Sequence, residues 1–302
     1  MSLSLEARFW RLLVKKIFKG RRLSLAGSRK RELENARFMK RIPRGVTVER
    51  IDLNGIPAAW VCPENADREK IILHLHGGGY VLGNIDVYQM LCSSLAQRTG
   101  LKVLLPEYRL APEHPFPAAL EDAQKAYRWL LAEGYKPENI VISGDSAGGG
   151  LGVATVLALR DANAPLPAAV VCLSPWTDLT FTGQSHIIRA QAEVLLRADE
   201  LREWSVFYTG AENPSNPLIS PIYADFHGFP PLLIQVGSDE ILLDDARMLA
   251  EKARADGATV ELHVWEGTWH VWHTLADMMP ESRAAFDEIA QFVRDRFKKT
   301  AK

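Results

Sequence analysis

The amino-acid sequence predicts an α/β fold in which a mostly parallel sheet is covered on both faces by helices. Short apolar strand candidates at 70–74, 101–106, 139–143, 168–173, 232–236 and 260–264 alternate with helical patterns at 87–98, 118–132, 147–160 and 243–256. Strands that read as continuous apolar runs are buried on both faces, as parallel sheets require. Ahead of them, Asn54-Gly55 sits between strand-like segments 46–53 and 56–62, a two-residue hairpin signal that adds an antiparallel opening. Between Leu173 and Leu232 no strand is evident, and 187–208 reads as helical. So long a connection is expected to be a lid or small subdomain rather than a simple loop.

At 302 residues, 47% hydrophobic and 24% charged, the chain has the composition of a soluble globular protein. A net charge of -1 gives no reason to expect a nucleic-acid partner. The first 44 residues carry excess base, including Lys15, Lys16, Arg21, Arg22, Arg29, Lys30 and Arg31. A run of this kind reads as a solvated helix face, with contact to an anionic membrane as the alternative. Phe9, Leu12, Leu13 and Ile17 recur at helical spacing, so the segment is expected to dock on the body through them. Arg11, Lys15 and Lys16 interrupt any signal-peptide core, and no apolar run is long enough to span a bilayer. Cys62, Cys92 and Cys172 share no metal or redox spacing and read as small buried hydrophobes of a reducing compartment, which makes the cytoplasm the expected location.

The chemistry is carried by three segments. Gly144-Asp145-Ser146-Ala147-Gly148 is a G-x-S-x-G sequence with a strand candidate before it and a helix candidate after it. The turn is sharp enough to strain the serine, and glycines two residues to either side remove Cβ clashes, so Ser146 is the candidate nucleophile. His76-Gly77-Gly78-Gly79 closes an earlier strand. Glycines there let the main chain aim amides at a developing oxyanion, which assigns Gly78, Gly79 and Ala147 as donors and Gly77 as shaper of the turn. A phosphate-cradling loop is the bland reading, but no G-K-[ST] or G-x-G-x-x-G spacing accompanies it.

A serine alcohol also needs a base, and the base an orienting acid. His270 and His273 follow the last strand candidate, and His270 is preferred because it comes first after the loop. His74 lies inside a strand and His114 reads as structural. For the acid, Asp239 and Glu240 both follow the 232–236 strand, and spacing does not separate them. Asp244 and Asp245 are expected in the first turn of the next helix, as charges favourable to its dipole. The order Ser146, acid, His270 is that of an α/β-hydrolase fold.

With these residues the chain resembles the bacterial hormone-sensitive-lipase-like esterases, from about His74 to the C-terminus. The resemblance rests on His76-Gly77-Gly78-Gly79, Gly144-Asp145-Ser146-Ala147-Gly148-Gly149, the segment 108–119 containing Arg109-Leu110-Ala111-Pro112-Glu113-His114-Pro115, and Ser174-Pro175-Trp176. Many members of that family read Asp-x-Leu-x-Asp with the first aspartate catalytic. The frame that holds Leu242 and Asp244 puts Glu240 first, so the resemblance selects Glu240 over Asp239. It implies an eight-stranded α/β-hydrolase domain at 46–302. A helical cap is implied over it, built from residues 1–45 and an insertion at about 180–215, with Trp204, Phe207 and Tyr208 as candidate lining or simply as packing.

Hydrolysis of short- to medium-chain acyl esters is likewise implied, with a small-molecule ester as partner and no metal or organic cofactor. Dimers pairing through the last strand occur in that family, which extends the expectation to a homodimer here. Lactonase or amidase activity stays open, because ester, lactone and amide share one tetrahedral intermediate. Plant gibberellin receptors resemble the same family but have lost the histidine, whereas Ser146 and His270 are both present here.

Overall fold

The parallel core follows from strands with no exposed face. In a computed structural model describing residues 3–19, 22–39 and 42–300, every residue of β3 (Ile71–Leu75), β5 (Ile140–Asp145), β6 (Ala169–Leu173) and β7 (Leu232–Gly237) is buried. With β1 (Val46–Asp52), β2 (Pro57–Pro63), β4 (Lys102–Pro106) and β8 (Val260–Trp265), they form an eight-stranded sheet in the order β1-β2-β4-β3-β5-β6-β7-β8. The β1–β2 and β2–β4 pairs are antiparallel and the rest parallel. At the opening turn Asn54 and Gly55 have φ of 54° and 95°, the left-handed pair that such a hairpin requires.

Helices α3 (Ile85–Thr99), α4 (Ala118–Ala132), α5 (Ala147–Asp161), α8 (Leu243–Ala255) and α9 (Pro280–Thr300) follow their strands. They bury two apolar clusters. One contains Leu73, Ile142, Leu151 and Ile234, and the other Ile72, Val141, Val171, Leu95 and Ile289. Side chains alternate across a strand, so consecutive residues such as Ile71 and Ile72 fall into different clusters. None of the described helices is long and apolar enough to cross a membrane.

Ahead of the sheet lie α1 (Leu5–Phe18) and α2 (Leu25–Met39), and the long connection after β6 holds α6 (Ser185–Ile188) and α7 (Ala198–Thr209). This corrects two expectations. Residues 187–208 are not one helix: Glu193 Oε1 accepts the amides of Val194, Leu195 and Leu196, turning the chain between α6 and α7. And α1 does not dock through Phe9, Leu12 and Ile17, which are exposed; of the four expected residues only Leu13 is half-buried. Phe9 is 60% exposed and Leu12 71%. The inward face is instead Ala7 and Val14, flanked by Trp10 and Phe18, against Val194, Trp269 and Trp272. Apolar spacing alone cannot distinguish two stripes on one helix, and the stripe with small residues lets the backbone approach.

The basic run is only partly solvated. Arg22 pairs with Glu203 at 2.6 Å, Arg29 pairs with Glu113 at 2.7 Å, and the Arg31 guanidinium lies over the Phe18 ring. Arg21 lies outside the described residues. Cys92 and Cys172 are buried, whereas Cys62 is only half-buried, and all three are free.

Candidate active site

The chain runs from β3 to β4 on one side of β3 and then crosses to β5 on the other. The β3/β5 boundary is therefore a topological switch point, where loops leave the sheet in opposite directions and open a crevice at the strands' carboxyl ends. Leu75 of β3 is paired with Gly144 of β5. This register brings the glycine loop after β3 beside Ser146.

Ser146 has φ 52° and ψ −123°, outside the regions open to ordinary residues. Such a backbone costs on the order of 1–3 kcal/mol and persists only where neighbours over-determine it. Here they do: its N–H donates to the Leu173 carbonyl at 2.8 Å, while its carbonyl accepts from Gly149, Gly150 and Trp176. The flanking glycines are needed for close approach, since a Cβ on Gly144 would collide with the Gly148 main chain and one on Gly148 with the Leu75 carbonyl.

Gly78 and Gly79 take φ of 109° and 62°. With Ala147, at the first position of α5, their amides donate to no acceptor among the described residues. The loop is held from behind. Gly77 N–H donates to Asp145 Oδ1 at 3.0 Å, the Tyr88 hydroxyl donates to Asp145 Oδ2 at 3.0 Å, and the Tyr108 hydroxyl donates to the His76 carbonyl at 2.7 Å.

Across the rim, Glu240 is fully buried and its Oε2 accepts from His270 Nδ1 at 2.9 Å. Its Oε1 accepts from the Gly237 amide and, at 2.8 Å, from the Ser174 hydroxyl. Ser174 Oγ also accepts the Val271 amide at 3.1 Å, joining the acid to the histidine loop. Burial pushes the His270 imidazole down, but the bond to Glu240 and the charges of Glu240, Glu193 and Asp145 outweigh it and leave His270 above its ordinary value of 6.5. Neither the Ser146 hydroxyl nor His270 Nε2 is hydrogen-bonded among the described residues. Bonds of this kind commonly tighten only around a substrate.

The other candidates are engaged elsewhere. Asp239 forms an ion pair with Arg11 at 2.6 Å. His273 Nε2 meets Gln235 Oε1 at 3.0 Å, and burial pushes its pKa to about 3. His76 is held near 4 in the same way. His74 lies against Asp145, and His114 is exposed. Asp244 and Asp245 do stand in the first turn of α8, but Asp245 is no surface charge. It is fully buried, accepts the amides of Thr177 and Asp178, and meets His186 Nε2 at 3.1 Å.

Of the three α7 aromatics, Tyr208 is packing, stacked on Tyr80 at 3.5 Å, and Phe207 packs against the core. Trp204 differs. Its ring lies where a Cβ on Gly79 would go, so it covers the glycine loop directly. Sequence reasoning missed the bridging role of Ser174, whose only local sign is a hydroxyl just past an apolar strand. It also missed Glu193, an acid standing before three apolar residues.

The strand order, and a strained serine turn at the switch point, are those of the α/β hydrolases as a class. A family model described as "alpha/beta hydrolase fold" matches residues 72–274. An acetyl-hydrolase of Streptomyces hygroscopicus is 47% identical over 237 residues, 78% of this chain and 79% of that one. The crystal structure of an esterase from the bacterial hormone-sensitive lipase family superposes with a TM-score of 0.94 at 41% identity, covering 98% of this chain and 100% of that one. The crystal structure of EstE5 soaked with p-nitrophenyl butyrate gives 0.93 at 37% identity, covering 98% and 99%. The chain belongs to this α/β hydrolase family, among the bacterial hormone-sensitive-lipase-like esterases.

Proposed function

We propose that this carboxylic ester hydrolase cleaves short- to medium-chain acyl esters through a serine acyl-enzyme. Ser146 Oγ attacks the ester carbonyl as His270 Nε2 takes its proton, and Glu240 holds the Nδ1–H tautomer and offsets the imidazolium charge. The oxyanion is received by the amides of Gly78, Gly79 and Ala147, which donate to no other acceptor among the described residues. His270 then protonates the leaving alcohol, and water repeats the sequence on the acyl-enzyme. The scheme calls for no metal or organic cofactor. The observation that carries it is the buried Glu240–His270 pair on the sheet rim that also bears Ser146. Turnover of nitrophenyl esters of graded chain length tests it: butyrate-length esters should be cleaved, and an absence of turnover across the series would overturn the reading.

The pH dependence follows from the base. His270 works when neutral and its pKa lies above 6.5, so kcat/KM should fall as pH drops through a midpoint above 6.5. His76 near 4 and His273 near 3 titrate too low to produce that limb. A midpoint below 6.5, read from a pH–rate profile, would contradict the assignment.

Helices α1, α2, α6 and α7 are read as a cap over the rim, and Trp204 as its limit on the acyl chain. Replacing Trp204 by alanine opens space beside Gly79. One methylene in an apolar pocket is worth about 1–3 kcal/mol, so the octanoate-to-butyrate rate ratio should rise at least several-fold. An unchanged ratio would leave Trp204 as packing alone.

A further inference from the structure

The turn between α6 and α7 buries a carboxylate that the scheme above does not use. Glu193 is fully buried. Its Oε1 accepts three amides, from Val194 and Leu195 at 2.7 Å each and Leu196 at 3.3 Å. Its Oε2 has no hydrogen-bond partner among the described residues. One oxygen is enough to accept those three amides. A second oxygen left bare in the interior is costly unless it faces a charge.

The position of Glu193 is enforced by α1. Lys19 Nζ donates to the carbonyls of Ala190 and Glu193, both at 2.6 Å. Arg11 donates to the Ala192 carbonyl at 2.9 Å and to the Gly267 carbonyl at 2.5 Å, and pairs with Asp239. One helix thus ties the Glu193 turn to the loop before His270 and to the neighbour of Glu240. Val194 and Leu195 pack in the same apolar cluster as Trp269 and Trp272, on either side of His270 in the chain.

We propose that Glu193 is a positioning residue for the base, a second carboxylate supplied by the cap that stabilises the imidazolium of His270 as it receives the serine proton. The inference rests on His270 being the base. Burial raises the Glu193 carboxyl above the usual carboxylate range, and the charge on His270 draws it back part of the way. The other ionisable groups around them are Glu240 after β7, Asp145 at the end of β5, Arg11 on α1 and Lys19 just after it, Asp239, and the neutral His273.

The test is a pH profile of kcat and KM on p-nitrophenyl butyrate for the wild type, Glu193→Gln and Glu193→Asp. Removing the charge should move the acid limb down by about one pH unit, the size expected for losing one nearby charge at the effective dielectric of a protein site. It should also lower plateau kcat several-fold, with KM changed by less than about twofold. The aspartate, with its charge one methylene farther back, should give a limb between the other two. If the glutamine variant is recovered unfolded, a downward shift in the aspartate variant is the deciding reading. A limb unmoved in the folded variants, whatever happens to KM or Tm, overturns the proposal and leaves Glu193 as a turn cap. A wild-type profile with no acid limb would instead overturn His270 as base, so the two failures are distinguishable.

Discussion

Replacing Ser146 with alanine is expected to lower kcat on a nitrophenyl ester by roughly a hundred-thousandfold while the protein remains folded. Alanine keeps the Cβ, so it inherits the same φ of 52° and the same main-chain bonds to Leu173, Gly149, Gly150 and Trp176. The change removes only the attacking oxygen, and Tm should move by no more than a few degrees. What persists should be the modest acceleration that free amides at Gly78, Gly79 and Ala147 give to attack by water. One such donor is typically worth about 3–4 kcal/mol. Pre-steady-state kinetics provide a second reading, because a nitrophenol burst in the wild type should be absent from the variant. Substantial turnover by folded Ser146→Ala would move the nucleophile elsewhere and dissolve the scheme.

The second large effect distinguishes two adjacent acids. Glu240→Gln should cost roughly ten-thousandfold in kcat, because a neutral amide cannot offset the imidazolium and can present N–H₂ to Nδ1, favouring the wrong tautomer. Asp239→Asn should cost only a few-fold. Asp239 pairs with Arg11 at a site where both side chains keep about a fifth of their exposure, and a pair of that kind contributes about 1 kcal/mol or less. That loss would appear mainly as a small drop in Tm. Equal losses, or a larger one at Asp239, would reverse the assignment. Histidine titration followed by NMR offers an independent check: His270 should lose its raised pKa in Glu240→Gln and keep it in Asp239→Asn.

What the sequence by itself determined are features in which the cause lies within a few residues of the effect. Asn54-Gly55 sets its hairpin because both positions must accept positive φ. Gly144 and Gly148 announce the serine turn because any Cβ there meets the main chain. The buried strands declare themselves through apolar runs of the right length. Together these give the α/β class, the location of Ser146 and the glycine loop after β3.

The tertiary structure alone decided what depends on residues far apart in the chain. Spacing leaves Glu240 and Asp239 as near-equals one position apart and the resemblance only favours Glu240; the folded loops are what turn one toward His270 and the other toward Arg11. His270 is preferred over His273 by its place in the sequence, and the fold adds what surrounds each, a carboxylate in one case and Gln235 in the other. The inward stripe of α1, the bridge through Ser174 and the buried Glu193 carried at most a faint local signal, because each also depends on partners tens to hundreds of residues away. Local stereochemistry is written in short windows of sequence. Electrostatic partnership in a buried site is a matter of distance through space, which exists only once the chain has closed on itself.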